Sequence, residues 1–200
     1  RPRVNLALAH KREGELTQAR AHLDEGLRLD PGFAEGWVIL GELRRDAGDV
    51  DGALMAFRRG AALDPTMAGV FHNLGNVAMH RGWIDSAVVH YERVLSLDPD
   101  FAEARNNLGY ALEQQGRWPE ALAAYRQAVV DSIYWINTDD PVGGAWFNRA
   151  RAADHLGYRE EALEAYREAQ ARLDMEPRYA EFSRRARERL QQLEQPKWLP

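Results

Sequence analysis

The chain has 200 residues, a formal net charge of −5 and no cysteine, which excludes disulfides, thiolate metal sites and a cysteine nucleophile. The acidic balance removes the basic face that nucleic-acid binding normally requires. No apolar run approaches the roughly 20 residues needed to cross a bilayer, so no direct membrane insertion is expected.

Repetition dominates the sequence in chain order. Gly14, Gly48, Gly82 and Gly116 stand 34 residues apart, as do Ala19, Ala53, Ala87 and Ala121. Pro31, Pro65 and Pro99 follow the same period, each after an aspartate. A fifth copy carries Gly157 and Ala162, displaced by seven further residues. Each copy reads as two helices. Trp37, Leu40, Gly41 and Arg44 share one face of the first helix of the second copy by their i, i+3, i+4, i+7 spacing. Gly48 ends that helix, as a residue comfortable at positive φ does. Ala53, Phe57 and Gly60 line the second helix, which Asp64-Pro65 closes, because the residue before proline is driven out of the helical region. Small Gly41 and Ala53 predict a close helix-helix approach, with Phe57 filling the space beside them.

The spacing of W-x2-L-G, Gly, Ala, Tyr/Phe and Pro resembles the tetratricopeptide repeat. The resemblance implies an all-α fold, a right-handed α-solenoid of stacked helix-turn-helix hairpins. The repeats are expected at 1–33, 34–67, 68–101, 102–142 (with the insertion) and 143–176, with a capping helix and tail at 177–200. The sequence departs from the pattern at Ala7, at Arg105 in the first aromatic position, and at Arg149 and Ala150 in place of Leu-Gly. Tyr179, Phe182, Ala186, Leu190 and Leu193 form an apolar stripe, which predicts a cap over about 178–194.

The face of each first helix opposite the core is expected to line a concave groove. Asn5, Asn73, Asn107 and Asn148 recur at one position of it, with Ile39 breaking the series. Asparagine is a poor helix former, so the recurrence calls for another reason. Amide ladders can hydrogen-bond an extended peptide backbone, and this one is similar to the asparagine ladder of the O-linked N-acetylglucosamine transferases. The alternative is that the amides bond to the neighbouring helix and tune the stacking. His72, Asn76 and His80, then Asn106 and Tyr110, then Phe147, Arg151 and His155 complete the face, after Lys11, Arg12, Glu35, Glu42 and Arg45. The candidate partner-binding residues are therefore Asn5, His72, Asn73, Asn76, Asn107, Tyr110, Asn148 and Arg151. The cationic clamp by which some tetratricopeptide co-chaperones hold a terminal carboxylate is not matched, because the corresponding positions carry His72, Asn76, Asn107, Gly144 and Asn148.

The insertion falls between about Val129 and Gly144. Val129, Ile133 and Ile136 continue a helical stripe, Tyr134 and Trp135 stand beside it, and Asn137 to Pro141 with Gly143 and Gly144 read as a loop. Asp139-Asp140 lacks the ligand spacing of a calcium loop. His72 and His80 are too far apart to hold one zinc ion. No phosphate-cradling loop or serine elbow is present, and the arginines at 178–189 alternate with Glu181 and Glu188 as a solvated face does.

The expectation is thus a scaffold or adaptor that binds a protein or peptide partner, without cofactor, metal or catalysis. A targeting arm of a larger enzyme, such as a glycosyltransferase, and a self-assembling homo-oligomer are the other readings. The first residue is Arg1 rather than Met, which predicts a processed chain or a fragment. Arginine-rich, lysine-poor usage points to a GC-rich bacterial genome, with the cytoplasm or else the periplasm as compartment.

Overall fold

The computed structural model describes residues 6–7, 9–10, 13–132, 142–174 and 179–195. Among them lie ten helices and no strand: α1 (Leu16–Leu29), α2 (Ala34–Asp46), α3 (Val50–Leu63), α4 (Ala68–His80), α5 (Ile84–Leu97), α6 (Ala102–Gln114), α7 (Trp118–Ser132), α8 (Val142–His155), α9 (Arg159–Leu173) and α10 (Ala180–Glu194). No helix of the described residues is long and apolar enough to cross a membrane. The chain forms two compact units, Arg1–Asp98 and Pro99–Pro200.

In the first unit, the α4–α5 hairpin shows how the sequence makes the repeat. Val70, Leu74 and Val77 on one stripe of α4 are buried in a cluster with Ala53 and Phe57 of α3, while Ala87, Val88, Tyr91 and Val94 are buried on α5. A Cβ on Gly75 would sit 2.5 Å from a Tyr91 ring carbon, so only glycine lets the two helices approach this closely. The turn depends on Gly82, whose φ of +72° is a region that side chains strain to reach. With Gly82 left-handed, Trp83 N–H donates to Ala78 O at 2.8 Å and Gly82 N–H to Met79 O at 3.0 Å, satisfying carbonyls that the helix end would orphan. The Gly41–Phe57 contact of α2–α3 repeats the arrangement. Asp64 leaves the helical region at φ −138°, ψ 97°. Its carboxylate accepts from Thr66 N at 2.9 Å and Thr66 Oγ1 at 2.6 Å, and those two bonds hold its pKa below the usual range.

The proline carbonyl in each turn needs a donor, and a tryptophan or an arginine from one of three positions supplies it. Trp37 Nε1 donates to Pro31 O at 3.0 Å. Phe71 at the equivalent position has no N–H, and Arg93 donates to Pro65 O at 3.0 Å while lying over the Phe71 ring. In the second unit Arg105 donates to Pro99 O and also pairs with the buried Asp131 at 2.6 Å. Arg105 therefore takes over the donor role of the aromatic that it replaces.

Within the second unit α6–α7 and α8–α9 are hairpins, and α10 packs on α9. Tyr125 fills the place beside Gly109 as Tyr91 does beside Gly75. Arg149, standing where the family has leucine, pairs with Glu161 at 3.0 Å and lies over the Trp146 ring. Glu161 also accepts from Arg126, and these bonds, Arg126 first, hold its pKa below the usual carboxylate range. Ser183 and Ala186 form the buried face of α10. Arg159 donates to the carbonyls of Leu193 and Gln195, closing the helix end, and Arg189 grips Asp154 at 2.6 and 2.9 Å.

Two expectations change. Gly143 and Gly144 lie in the first turn of α8 rather than in a loop, because that helix starts at Val142. Phe182 is 44% exposed instead of buried with its stripe. Ile133, Tyr134, Trp135, Ile136 and the Asp139-Asp140 pair lie outside the described residues, as do Asn5, Lys11 and Arg12.

Candidate functional site

The asparagines and their neighbours on the first helices serve more than one end. In the first unit Asn73 Oδ1 accepts from Arg45 Nη1 of the preceding hairpin at 3.1 Å. Asn76 Oδ1 accepts from Tyr91 OH at 2.7 Å, and its Nδ2 lies 3.5 Å from His72 Nε2. His72 is only 8% exposed, with its ring 6.1 Å from that of Tyr91. His72 and Asn76 thus anchor the tyrosine inside the α4–α5 hairpin. In the second unit Asn148 Nδ2 donates to Asn106 Oδ1 at 3.0 Å, an amide-to-amide hydrogen bond between adjacent hairpins, and Asn107 is half-buried on α6. Asn73 and Asn148 therefore make the neighbour-helix bonds that were the alternative to peptide contact.

The second unit brings three candidate residues together. Tyr110, Asn148 and Arg151 line one concavity of about 440 Å³, inside the roughly 300–1,000 Å³ range of ligand pockets. Phe147 and Leu173 supply buried apolar wall, and Tyr179, Phe182 and Arg185 complete the lining from the C-terminal end. Tyr110 is 43% exposed. Phe147 packs edge-on to Tyr166 at 6.0 Å and to Phe182 at 5.5 Å. His155, expected on the same face as Arg151, is stacked on Trp118 at 3.7 Å.

Arg151 is held by Glu113 through two bonds of 2.7 and 2.6 Å. Tyr125 OH donates to the same carboxylate at 3.0 Å. Glu113 is 7% exposed, so this triad joins α6, α7 and α8 and reaches the pocket through Arg151. Burial first, then the Glu113 charge, raises the Tyr125 pKa far above its ordinary value. Burial likewise pushes Tyr166 up to about 12, so both phenols stay protonated, Tyr125 as a donor to Glu113.

Sequence reasoning missed Glu113, Phe182 and Arg185 as parts of the site. Phe182 and Arg185 are three apart on α10, which places them on one flank, and that spacing was the available signal. For metals, the described residues hold one cluster, His10 with Glu13 and Glu15, whose ligand atoms lie within 4.8 Å of one another. His10 Nδ1 already meets Glu15 at 2.6 Å and its ring stacks on His22, so a hydrogen bond accounts for the cluster by itself.

Models of the tetratricopeptide repeat match residues 4–68 and 72–134, and a second such model matches 143–172. The chain belongs to the tetratricopeptide repeat family. A TPR repeat-containing protein of Pseudomonas aeruginosa is 34% identical over 57 residues, covering 28% of this chain and 54% of the relative; the chain's match thus spans about half of that relative's length. Among solved structures, MamA aligns with a TM-score of 0.73 at 21% identity, covering 86% of this chain and 97% of MamA. YrrB, described as a TPR protein with an unusual peptide-binding site, aligns with a TM-score of 0.72 at 23% identity, over 94% and 91% of the two chains. At these identities the likeness is one of fold: this chain has the stacked hairpins of TPR solenoid proteins.

Proposed function

We propose that this TPR chain is a protein-interaction scaffold which holds an extended segment of a partner against the first-helix face of its C-terminal hairpins. The observation that carries the reading is the concavity in which Tyr110, Asn148 and Arg151 meet. It has an apolar wall and a few convergent polar groups, the usual makeup of a binding site. The side-chain amide of Asn148 offers two donors and two acceptor lone pairs, and its bond to Asn106 uses one donor. The remainder suits a peptide backbone, which presents both groups at every residue. The peptide-binding site of YrrB, a protein of the same fold, supports this use of the architecture. Arg151 acts in the scaffold by positioning, through its grip on Glu113.

Affinity capture from the native lysate tests the reading, comparing the native chain with Tyr110→Ala/Asn148→Ala. A partner lost in the double variant, with helicity and melting unchanged, is the expected result. A partner retained at full yield would move binding away from this face and leave the asparagines as packing groups.

A further inference from the structure

The scaffold reading leaves the partner's chemistry open, and the charges around the pocket narrow it. Building on that reading, we propose that the pocket takes an acidic segment carrying an aromatic residue, with its side-chain carboxylate paired to Arg185 of α10.

The pocket lining contains two guanidinium groups and no carboxylate, in a chain where Asp and Glu outnumber Lys and Arg by 31 to 26. Arg151 is neutralised by Glu113. The arginines around Arg185 on α10 are also matched: Arg184 by Glu181 and Glu188, Arg187 by Asp174, and Arg189 by Asp154. Arg185 lies 5.7 Å from the Phe147 ring centroid, and among the described residues no carboxylate pairs with it. The local charge left over is therefore positive. A guanidinium presents a planar fork that a carboxylate fits with two bonds. Beside it stand Phe182 and Tyr110, both large and about two-fifths exposed, over the buried Phe147. Partly exposed aromatics around a wall of this kind take a ring edge-on or offset and act as anchors. A basic segment would meet Arg185 with like charge. The capping helix thus closes the fold and also supplies the cation of the site.

The test is fluorescence anisotropy on the full chain, using dye-labelled peptides amidated at the C-terminus so that no terminal carboxylate contributes. The probes carry Glu-Phe-Glu, Lys-Phe-Lys or Glu-Ala-Glu at their centre. The Glu-Phe-Glu probe is expected to bind about tenfold or more tightly than the other two, and to weaken as salt is added. Arg185→Glu is expected to weaken it by about tenfold or more, and Arg185→Lys by less. Helicity should survive both changes, because Arg185 has no ion pair to lose. Equal binding of the acidic and basic probes, no binding of Glu-Phe-Glu, or indifference to Arg185→Glu would each overturn the proposal. If Lys-Phe-Lys binds and Tyr110→Ala/Asn148→Ala abolishes it, the scaffold reading stands and this inference falls. A captured partner indifferent to every pocket variant takes down the scaffold reading itself.

Discussion

Replacing Arg151 with methionine removes the guanidinium that holds Glu113 while keeping most of the side-chain volume. The two lost bonds measure 2.7 and 2.6 Å, and the Glu113 side chain left behind is 5% exposed. Breaking one partner of a fully buried pair costs about 3–5 kcal/mol, because the remaining charge is stranded. The Arg151 side chain is 32% exposed, so water replaces part of what is lost, and the expected cost is roughly 2–3 kcal/mol. Tyr125 OH still donates to Glu113, which keeps the figure from the top of the range. Urea unfolding followed by circular dichroism measures the total. Hydrogen exchange at the amides of α6 and α8 localises it, which matters because repeat proteins open hairpin by hairpin. Glu113→Gln/Arg151→Met should recover at least half of the loss, since the two residues act as one unit. A single variant within about 0.5 kcal/mol of the native chain would refute the argument and return Arg151 to the list of groups available to a partner.

Gly75→Ala should destabilise the first unit by about 1 kcal/mol, the middle of the range left when overpacking at roughly 1–3 kcal/mol is offset by a helix-propensity gain of about 1 kcal/mol. The new Cβ meets the Tyr91 ring at 2.5–2.9 Å, and the Asn76 bond at 2.7 Å holds that ring in place; a raised urea midpoint would contradict the close approach. The His90 pKa is lowered from its ordinary 6.5, by burial first and by Arg58 second, so the unfolded chain takes up this proton before the folded one does. The His90 contribution is therefore complete above pH 6.5 and is lost as pH falls toward the depressed value; His90→Gln should flatten that part of the stability-pH curve, and an unchanged slope would refute the assignment.

The period, the hairpins and the close-packed glycines were legible because each is a local requirement. A turn needs positive φ at Gly82 whatever surrounds it, and a tyrosine at 91 needs a bare backbone opposite. The face of Asn148 was legible for the same reason, but its partner was not. Helical spacing says which side a residue takes, whereas the bond to Asn106 depends on how two hairpins stack. The inward bond of Asn76 was not legible for a related reason: it answers the hydroxyl of Tyr91, a polar group on a buried ring that must be satisfied. Arg185 looked like one member of a solvated arginine run. Only the assignment of carboxylates to Arg184, Arg187 and Arg189 separates it from them. The Gly143-Gly144 pair resembled a loop, yet it occupies the opening turn of α8, where the first four backbone N–H groups have no helical acceptor in any case.

The proline carbonyls carry a consequence for how such an array changes by mutation. Arg93 reaches back 28 residues to Pro65, and Arg59 stands 28 residues after Pro31, whose carbonyl is already served by Trp37. The second repeat thus carries both the tryptophan that serves the carbonyl and an arginine at the position from which Arg93 serves it in the third. A repeat in that condition can exchange tryptophan for phenylalanine with arginine in reserve, which gives the pairing found at Phe71 and Arg93. The fourth repeat has Gln127 where the second and third have that arginine, and there Arg105 in the aromatic position supplies the bond. Neighbouring copies can therefore drift apart in sequence while the hydrogen bond at each turn is never given up.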